Sequence, residues 1–362
     1  MDHKFPYKWK LSDGYPAKGI DYHGSKVFSC FACGGGSTMG YKLAGYDVIG
    51  MNEIDPKMAE VYIENHHPKY AFIEPIQDFV KRETYPDELY NLDILDGSPP
   101  CSSFSMAGNR EKDWGKEKKF REGQAEQVLD TLFFYFIELG KKLQPKVIIA
   151  ENVKGLLQGD AKSYVKRIMQ AFQDAGYKAD YKLLDASKMG VPQKRERVFF
   201  YAIRNDLKYD AIDMFGDQPR LNLEFNEDVI VFNSVSDGSG TELSNLYHKR
   251  WLQRSPNDTS FADITKRLEG VEKCFSDVLV HHNRVSPTIT SKGFMVDFET
   301  GLRLSDKCLS LIGSYPMDYK ANVKMAYLIG MSVPPVMMAQ IAHQVYLQWL
   351  MVNGSLKESE CE

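Results

Sequence analysis

A single cysteine stands behind two prolines in the stretch GSPPCSSFS, which begins at Gly97. The apolar residues before it, 92–96, predict a short buried strand, so Cys101 would follow the carboxyl end of that strand. Ligands bind at this end of the strands in open α/β sheets. The prolines stiffen the backbone there, and a nucleophilic thiolate needs such a rigid, ligand-facing setting. The alternative is a buried cysteine that packs as a small apolar side chain.

Glycines cluster at the end of another predicted strand. A strand over 26–32 runs into the sequence CGGG at 33–36, and a helix follows. Such a turn lets backbone N–H groups approach a ligand, and the helix amino terminus adds positive potential. Glu53 ends the next predicted strand, where an acidic side chain can accept hydrogen bonds from a ribose. The pair predicts a nucleoside-bearing cofactor, whereas the glycine turn alone also fits a plain tight connection.

Charged side chains occur at two further strand ends. Residues 146–150 predict a buried strand that ends at Glu151, whose carboxylate would be an acid on the same rim as Cys101 or a helix cap. Arg195 and Arg197 begin a later strand, and side chains two residues apart point the same way. We therefore expect a nucleophile and an acid on one rim and two arginines on one face of a later strand, with ordinary solvated arginines as the alternative.

Short apolar runs alternate with amphipathic ones up to residue 205, which predicts an α/β fold with a mostly parallel, doubly wound sheet. Strands are expected at 26–32, 47–52, 92–96, 146–151, 181–185 and 197–204, and helices at 37–45, 56–65, 124–143, 161–175 and 335–352. From about 205 to 282 the alternation is lost and Asn, Ser, Asp and Gly are frequent. This stretch predicts a separate, small, loop-rich domain.

The composition is that of a globular protein, and we expect it in the cytoplasm. The chain has 362 residues, of which 43% are hydrophobic, enough for a large core and a smaller second domain. No apolar run reaches the roughly 20 residues that a membrane helix needs, and the amino terminus lacks a secretory signal, so no membrane partner is expected. The six cysteines lack the spacing of a disulfide framework or a zinc site, and we predict no metal.

The net charge of −4 does not by itself favour a nucleic-acid partner, because phosphate contacts require Lys and Arg. Basic side chains are nevertheless concentrated in two segments, 110–122 and 249–292. Nucleic-acid contacts and plain solvated surface explain these segments equally well.

The motifs occur in the order found in the cytosine-5 DNA methyltransferase family, which the chain resembles over 26–342. FACGGG at 31–36 resembles the cofactor loop, NEID at 52–55 the ribose-binding segment, and DF at 78–79 the adenine-binding segment. PPC at 99–101 resembles the nucleophile motif, ENV at 151–153 the catalytic carboxylate motif, and QKRER at 193–197 the QxRxR motif. SPTIT at 286–290, the segment 303–316 and IGMSVPP at 329–335 resemble the closing motifs.

The resemblance implies a DNA (cytosine-5-)-methyltransferase, as in restriction-modification, that transfers the methyl group of S-adenosylmethionine to a flipped-out cytosine in double-stranded DNA. A Rossmann-like methyltransferase domain would occupy 26–205, after a leader over 1–25. A target-recognition domain would occupy 206–302, and a C-terminal segment over 303–362 would return to the catalytic domain. We expect a monomer. A tRNA cytosine-5 methyltransferase is the alternative, because the motifs separate the two substrates poorly.

The resemblance also assigns residue roles. Cys101 would add to carbon 6 of the base, while Glu151 and Arg197, together with Arg195, would stabilise the charge on the ring. The expected cofactor-binding residues are Phe31, Cys33, Gly34, Gly35, Gly36, Glu53, Ile54, Asp78, Phe79, Pro100, Ser332 and Val333. The expected DNA-binding residues are Ser102, Lys249, Arg250, Arg254, Lys266 and Arg267. A loop over 102–122 that contains Trp114 is expected to close on DNA.

A silent nucleic-acid-binding module and a nicotinamide-dependent oxidoreductase are two further readings, but neither gives Cys101 a role. The sequence also departs from the family pattern at four positions. Ser29 stands where the family usually has Asp, Cys33 where it often has Gly, Ser102 where it has Gln, and Met331 where Asn is usual. None of these changes removes a group that makes or breaks a bond, although Ser102 bears on the loop geometry and Met331 on cofactor contacts.

Overall fold

The structure is a computed structural model, and it describes residues 3–100, 117–118, 127–128, 131–159, 161–209 and 219–353. The chain divides into two compact units. Unit 1 comprises Met1–Gly14, Asp185–Arg195 and Phe225–Met337, and unit 2 comprises Tyr15–Leu184, Glu196–Glu224 and Met338–Glu362. Each unit is thus assembled from separated parts of the chain, and the boundaries assigned above to the functional domains stay a prediction.

Unit 2 contains nine strands and five α-helices among the described residues. The strands are β1 (Lys26–Cys30), β2 (Asp47–Asn52), β3 (Tyr70–Phe72), β4 (Ile94–Gly97), β5 (Glu117–Lys118), β6 (Gln127–Val128), β7 (Val147–Val153), β8 (Tyr177–Asp185) and β9 (Glu196–Arg204). The helices are α1 (Gly36–Leu43), α2 (Pro56–His66), α3 (Ile76–Phe79), α4 (Leu132–Leu143) and α5 (Ala161–Asp174).

Seven strands of unit 2 form one sheet in the order β3-β2-β1-β4-β7-β9-β8. The strands from β3 to β7 are parallel, and β9 runs antiparallel to β7. The chain leaves β1 toward β2 on one side and later enters β4 on the other, so the carboxyl ends of β1 and β4 lie at the switch point where such sheets bind ligands. The predicted α/β fold class with a mostly parallel sheet is confirmed.

An aromatic-rich core holds this sheet. Phe28 of β1 and Phe200 of β9 are fully buried in it together with Phe133 and Phe136 of α4. The ring centroids of Phe133 and Phe200 are 5.3 Å apart with an edge-to-face geometry, which aromatic pairs prefer. Close packing of large side chains against the strands makes the sheet a rigid support for the loops at its edge.

The structure differs from the sequence predictions at three elements of unit 2. The helix expected over 124–143 begins at Leu132, because Gln127–Val128 forms strand β6, paired with β5. The short strand β3 was not predicted, since its three residues are half-buried or exposed and carry no hydrophobic alternation. Strand β8 begins at Tyr177, earlier than the alternation indicates.

Unit 1 contains a smaller, mixed sheet of four short strands in the order β10-β13-β12-β11. The strands are β10 (Gly240–Thr241), β11 (Val278–Val280), β12 (Met295–Asp297) and β13 (Arg303–Leu304). The helices are α6 (Asn245–Leu252), α7 (Phe261–Glu269), α8 (Asp306–Ile312) and α9 (Met325–Met331). Helix α10 (Pro335–Val345) belongs to both units and continues as a π-helical turn, Tyr346–Leu350.

The first part of the amino-terminal leader, residues 3–14, belongs to unit 1, a role that the sequence did not reveal. Phe5 and Trp9 are buried, and the Trp9 indole N–H donates to the Ser314 carbonyl at 3.0 Å. The Asp318 carboxylate accepts hydrogen bonds from the backbone N–H groups of residues 11 and 12 at 2.6 and 3.0 Å. This part of the leader is thus held by a backbone carbonyl and a carboxylate that lie about 300 residues later in the chain.

One helical stretch of the described residues, Met325–Asn353, is long and apolar enough to cross a membrane by length and composition alone. However, 78% of its most apolar window is buried inside the protein. Burial of this extent is typical of a core helix in a globular unit.

Candidate active site

The glycine turn between β1 and α1 has a backbone that only particular residues tolerate. Phe31 and Cys33 adopt positive φ values of 53° and 48°, and Gly35, the residue before α1, has φ 82°. A Cβ built on Gly35 would lie 2.2 Å from Nε2 of the buried His66. Gly35 is therefore required twice, by its φ angle and by the ring packed against it.

Glu53, one residue past the end of β2, binds the glycine turn directly. Its two carboxylate oxygens accept backbone N–H hydrogen bonds from Cys33 and Asp55, each at 2.8 Å. Burial raises the pKa of Glu53, and the hydrogen bonds from backbone N–H groups oppose this rise. Each oxygen keeps a second lone pair, so the carboxylate holds the turn and can still accept a hydroxyl hydrogen bond.

The other predicted cofactor residues of unit 2 differ in exposure. Gly34 and Gly36 are buried, and Ile54 and Pro100 are half-buried. The Asp78 side chain is 60% exposed and lies 3.6 Å from the Lys81 ammonium group. Phe79 is instead fully buried and stacks on Phe28 with ring centroids 5.7 Å apart. Asp78 is thus available to a ligand, whereas Phe79 supports the sheet.

The turn that leads from β4 to the predicted nucleophile is anchored by Asn152. Its side-chain N–H donates to the carbonyl of Pro99 at 3.1 Å, and Asn152 is 3% exposed. Cys101 and Ser102 lie outside the described residues. Since Cys101 follows Pro99 by two residues, Asn152 fixes the backbone from which the cysteine extends. This function of Asn152 was not predicted from the sequence, although its position directly after Glu151 was a usable signal.

Glu151 and Arg197 form an ion pair at the end of β7. In the antiparallel pair β7 and β9, Glu151 lies opposite Phe199 and Val153 lies opposite Arg197. Glu151 and Arg197 are therefore diagonal neighbours on one face of the sheet. Arg197 Nε lies 2.9 Å from Glu151 Oε1, with side-chain exposures of 15% and 14%. Burial lowers the pKa of Arg197, while the Glu151 carboxylate raises it.

The ion pair leaves one carboxylate oxygen available. Among the described residues, no side chain or backbone group donates to Glu151 Oε2. Arg197 uses Nη1 to donate to the Glu196 carbonyl at 2.8 Å, which fixes the guanidinium plane. The pair therefore presents an oriented carboxylate oxygen beside a buried cation, an arrangement that can bind a polar ring edge.

Arg195 has different partners from Arg197. Strand β9 begins at Glu196, so the alternation that would place both arginines on one face does not extend to Arg195. Its buried guanidinium donates to the carbonyls of Ile289, Gly330 and Ser332 at 3.2, 3.0 and 2.8 Å. The catalytic role of Arg195 stays a prediction.

Ser332 and Val333 lie in unit 1, at the end of α9, and are 5% and 3% exposed. The Ser332 hydroxyl donates to the Leu328 carbonyl at 2.8 Å, and the Ser332 carbonyl accepts from Arg195. These bonds define the backbone of the IGMSVPP motif.

Two of the predicted DNA-binding arginines are engaged within unit 1. Arg250 lies 2.8 Å from Glu269, and Arg267 lies 2.6 Å from Asp258. The Arg250–Glu269 pair joins α6 to α7, and the Arg267–Asp258 pair joins α7 to the connection that precedes it. A phosphate contact by either residue would compete with its carboxylate partner.

Among the remaining cations of this set, Arg254 is half-buried and the two lysines are exposed. Arg254 stacks over the ring of Trp251, with its guanidinium carbon 3.8 Å from the ring centroid. Lys249 and Lys266 are exposed, and neither forms an ion pair with a described residue. The two lysines are thus free to contact an anionic partner.

Comparison with known proteins agrees with the motifs. A family model described as C-5 cytosine-specific DNA methylase matches residues 25–346. The Type II methyltransferase M.NgoPII of Neisseria gonorrhoeae is 32% identical over 264 residues, which cover 73% of this chain and 69% of that protein. The Type II methyltransferase M.FnuDI of Fusobacterium nucleatum is 37% identical over 182 residues, and this match spans about half of each protein, 50% and 48%.

A solved structure shares the fold. A DNMT2 variant from Spodoptera frugiperda superposes with a TM-score of 0.61 over 89% of this chain and 99% of that one, at 17% sequence identity. At this identity the likeness shows the fold alone, whereas the family match and M.NgoPII concern the sequence itself. The predicted resemblance is confirmed: the chain belongs to the C-5 cytosine-specific DNA methylase family.

Proposed function

We propose that this protein is a DNA (cytosine-5-)-methyltransferase with Cys101 as nucleophile and the Glu151–Arg197 pair as its partner at the base. The observation that carries the proposal is the arrangement at the end of β7. Glu151 is oriented by Arg197 at 2.9 Å, and the adjacent Asn152 holds the turn two residues before Cys101 at 3.1 Å. Glu151 and Asn152, which are neighbours on β7, thereby hold the Arg197 guanidinium and the turn that leads to Cys101.

The residues at the carboxyl ends of β1 and β2 fit S-adenosylmethionine. The glycine turn, the buried Glu53 and the exposed Asp78 provide close backbone approach and two carboxylates for a nucleoside. Partly exposed Phe31 and Ile54 add apolar surface. In this proposal Ser332 and Val333 also contribute. When bound, S-adenosylmethionine supplies an electrophilic methyl group.

The chemistry required of the protein follows from the weakness of cytosine carbon 5 as a nucleophile. The Cys101 thiolate adds to carbon 6, and the ring electrons move toward carbon 5 and ring nitrogen 3. Glu151 carries a proton on its available oxygen and donates it in a hydrogen bond to ring nitrogen 3, which offsets the negative charge. Arg197 keeps Glu151 in place and contacts the base oxygen.

Carbon 5 then attacks the methyl group that bound S-adenosylmethionine would supply, while the methyl–sulfur bond breaks and its electron pair leaves with S-adenosylhomocysteine. A proton acceptor removes the proton from carbon 5, and the electron pair of that C–H bond forms the ring double bond. Cys101 leaves carbon 6 as a thiolate, which restores both the aromatic ring and the enzyme. The site must hold Cys101, Glu151 and Arg197 within reach of a cytosine that is flipped out of the stacked duplex.

Double-stranded DNA is the substrate that we propose, because the relatives that match over most of their length are named Type II methyltransferases. Exposed Lys249 and Lys266 of unit 1 are the strongest candidates for phosphate contacts, with Ser102, Arg250, Arg254 and Arg267 as further candidates. We further propose that the protein acts as a monomer in the cytoplasm. Of the predicted loop over 102–122, the structure describes Glu117–Lys118, which form β5, whereas Trp114 lies outside the described residues.

A covalent trap tests the function. With S-adenosylmethionine and a duplex containing 5-fluorocytosine, the carbon 5 substituent cannot leave as a proton, so the adduct with Cys101 should accumulate and survive denaturing electrophoresis. Cys101→Ala should form none, and Cys308→Ala, which removes a buried thiol of α8, should form it normally. A fluorinated tRNA tested in parallel should stay free. Adduct formation on tRNA alone, or on Cys101→Ala, would overturn the proposal.

A further inference from the structure

A buried carboxylate lies between the two strands that lead into the site. Asp96 of β4 is 3% exposed and is the register partner of Ser29 on β1. The Ser29 hydroxyl donates to Asp96 Oδ2 at 2.8 Å, and the Tyr41 hydroxyl donates to Oδ1 at 3.3 Å. The Ser37 hydroxyl is a third neighbour, and it lowers the pKa of Asp96. None of the roles assigned above uses Asp96.

The three hydroxyls flank the glycine turn, and the carboxylate belongs to the nucleophile strand. Ser29 lies two residues before Phe31 on the strand that enters the turn, and Ser37 and Tyr41 lie on α1, which leaves it. Asp96 is followed by Gly97 and the proline turn that leads to Cys101. The carboxylate is therefore a direct polar link between the loop for the methyl donor and the backbone of the nucleophile.

We propose that Asp96 is a positioning residue for methyl transfer, which fixes the glycine turn relative to the nucleophile turn by accepting hydrogen bonds from Ser29 and Tyr41. The inference rests on the proposed function. It differs from a general packing role because the link depends on charge. The ionised carboxylate accepts a hydrogen bond on each of its oxygens, whereas the protonated form carries its own donor on one of them and accepts more weakly there.

The surroundings make this charge sensitive to pH. Burial raises the pKa of Asp96 to about 7, the hydroxyl donors lower it, and the Glu151 charge raises it. The other titratable groups that interact with Asp96 are Cys30, Tyr41 and Tyr62, and burial raises the pKa of each of them. Among the described residues, no cationic side chain forms an ion pair with Asp96, so the hydroxyls are its main stabilising partners.

The direction of the pH effect follows from this arrangement. Below the pKa of Asp96 the carboxyl group is neutral, the hydroxyl bonds reorganise and the glycine turn loosens. The affinity for S-adenosylmethionine should therefore fall as the pH is lowered through about 7. Loss of one hydrogen bond to a charged group corresponds to roughly a tenfold change in an equilibrium constant.

The experiment measures binding of S-adenosylmethionine to the DNA-free protein by titration calorimetry across this pH range. In parallel, hydrogen exchange of the amides at 33–36 in the ligand-free protein reports how firmly the glycine turn is held, and it should become faster below the pKa of Asp96. Asp96→Asn should bind roughly tenfold more weakly above neutral pH and lose the pH dependence. Asp93→Asn is the matched control. Asp93 precedes β4 at its other end, bonds Lys146 at 2.6 Å, and its loss should leave the pH dependence intact.

Two further variants make the test independent of the stability of Asp96→Asn. Ser29→Ala removes one donor, so the pH midpoint should move upward, because that hydrogen bond lowers the pKa of Asp96. The exchange Ser29→Asp with Asp96→Ser returns a carboxylate to the same register pair and should restore tight binding. An unchanged midpoint in Ser29→Ala, or wild-type binding by a folded Asp96→Asn, would overturn the inference. Failure of the wild-type protein to bind S-adenosylmethionine would instead overturn the proposed function.

Discussion

Replacement of Gly35 by alanine tests how the glycine turn is held. Gly35 has φ 82°, and its Cβ would approach His66 Nε2 at 2.2 Å and Cδ2 at 2.5 Å. The His66 ring is buried against Tyr62, with ring centroids 4.7 Å apart, and burial lowers the pKa of His66 to about 3. The ring is therefore neutral at pH 7 and enclosed, so it cannot swing into solvent to make room.

The expected cost has two parts. A left-handed backbone costs an alanine roughly 1–2 kcal/mol relative to glycine. Overpacking against a fixed ring adds roughly 1–3 kcal/mol. Gly35→Ala should therefore lower the free energy of unfolding by about 2–5 kcal/mol. The turn should also bind S-adenosylmethionine more weakly, since the clash lies directly beneath it.

Urea denaturation followed by circular dichroism measures this cost, and the chain offers a matched control. Gly176 has φ 92° with no atom within 4 Å of its Cβ position, so Gly176→Ala carries the backbone cost without the clash. The double variant Gly35→Ala with His66→Ala should recover about 1–3 kcal/mol of coupling, because the ring is gone.

An equal loss in the free energy of unfolding for Gly35→Ala and Gly176→Ala would show that the His66 ring moves aside at no energetic cost and that the clash does not destabilise the protein. Strict additivity of Gly35→Ala and His66→Ala would refute the same reasoning by an independent route. Either result would leave only the φ angle as the reason for glycine at this position.

The remaining predictions concern the catalytic pair, the nucleophile turn, the leader and pH. Glu151→Gln should keep the affinity for S-adenosylmethionine and slow single-turnover methylation at least roughly 100-fold, measured by rapid quench, and an unchanged rate would remove Glu151 from the mechanism. Asn152→Ala should slow the same step roughly tenfold without changing that affinity, and weakened binding would contradict its assignment to the nucleophile turn. Trp9→Ala should lower the free energy of unfolding by about 3–5 kcal/mol in urea, whereas a dispensable leader would cost nothing. His66 has its pKa lowered from 6.5 to about 3 on folding. The unfolded chain therefore binds the extra proton, and stability should fall below about pH 6.5 by up to about 1.4 kcal/mol per unit, a slope that His66→Ala should lose.

The order of elements was predictable because the sheet is buried and its strands read as apolar runs between amphipathic helices. The motifs at the carboxyl ends of these strands were predictable for the same reason, since parallel strands bring those ends to one edge. The short strand β3 was not, because three half-exposed residues carry no periodicity. That residues 3–14 belong to unit 1 could not be predicted either, because it depends on long-range contacts such as the hydrogen bond from Trp9 to Ser314.

The side-chain partners of the predicted site residues were less predictable than the residues themselves. Arg195 and Arg197 are equally basic and two residues apart, yet only Arg197 reaches Glu151, because β9 begins between them. Arg250 and Arg267 looked like free cations, but each meets a carboxylate from elsewhere in the fold. Charge in the sequence therefore indicates a candidate, and only the fold shows whether that charge is already neutralised.

Ser29 shows what strand register adds to a motif. Its position usually holds Asp in the family, so the sequence alone suggests that a carboxylate has been lost there. The structure places Asp96, 67 residues later, directly opposite Ser29 and bonded to its hydroxyl. The β1–β4 strand pair thus keeps a carboxylate at this register position, but β4 supplies it instead of β1. A residue-by-residue comparison cannot detect this exchange, because the two positions are neighbours only through the pairing of the strands.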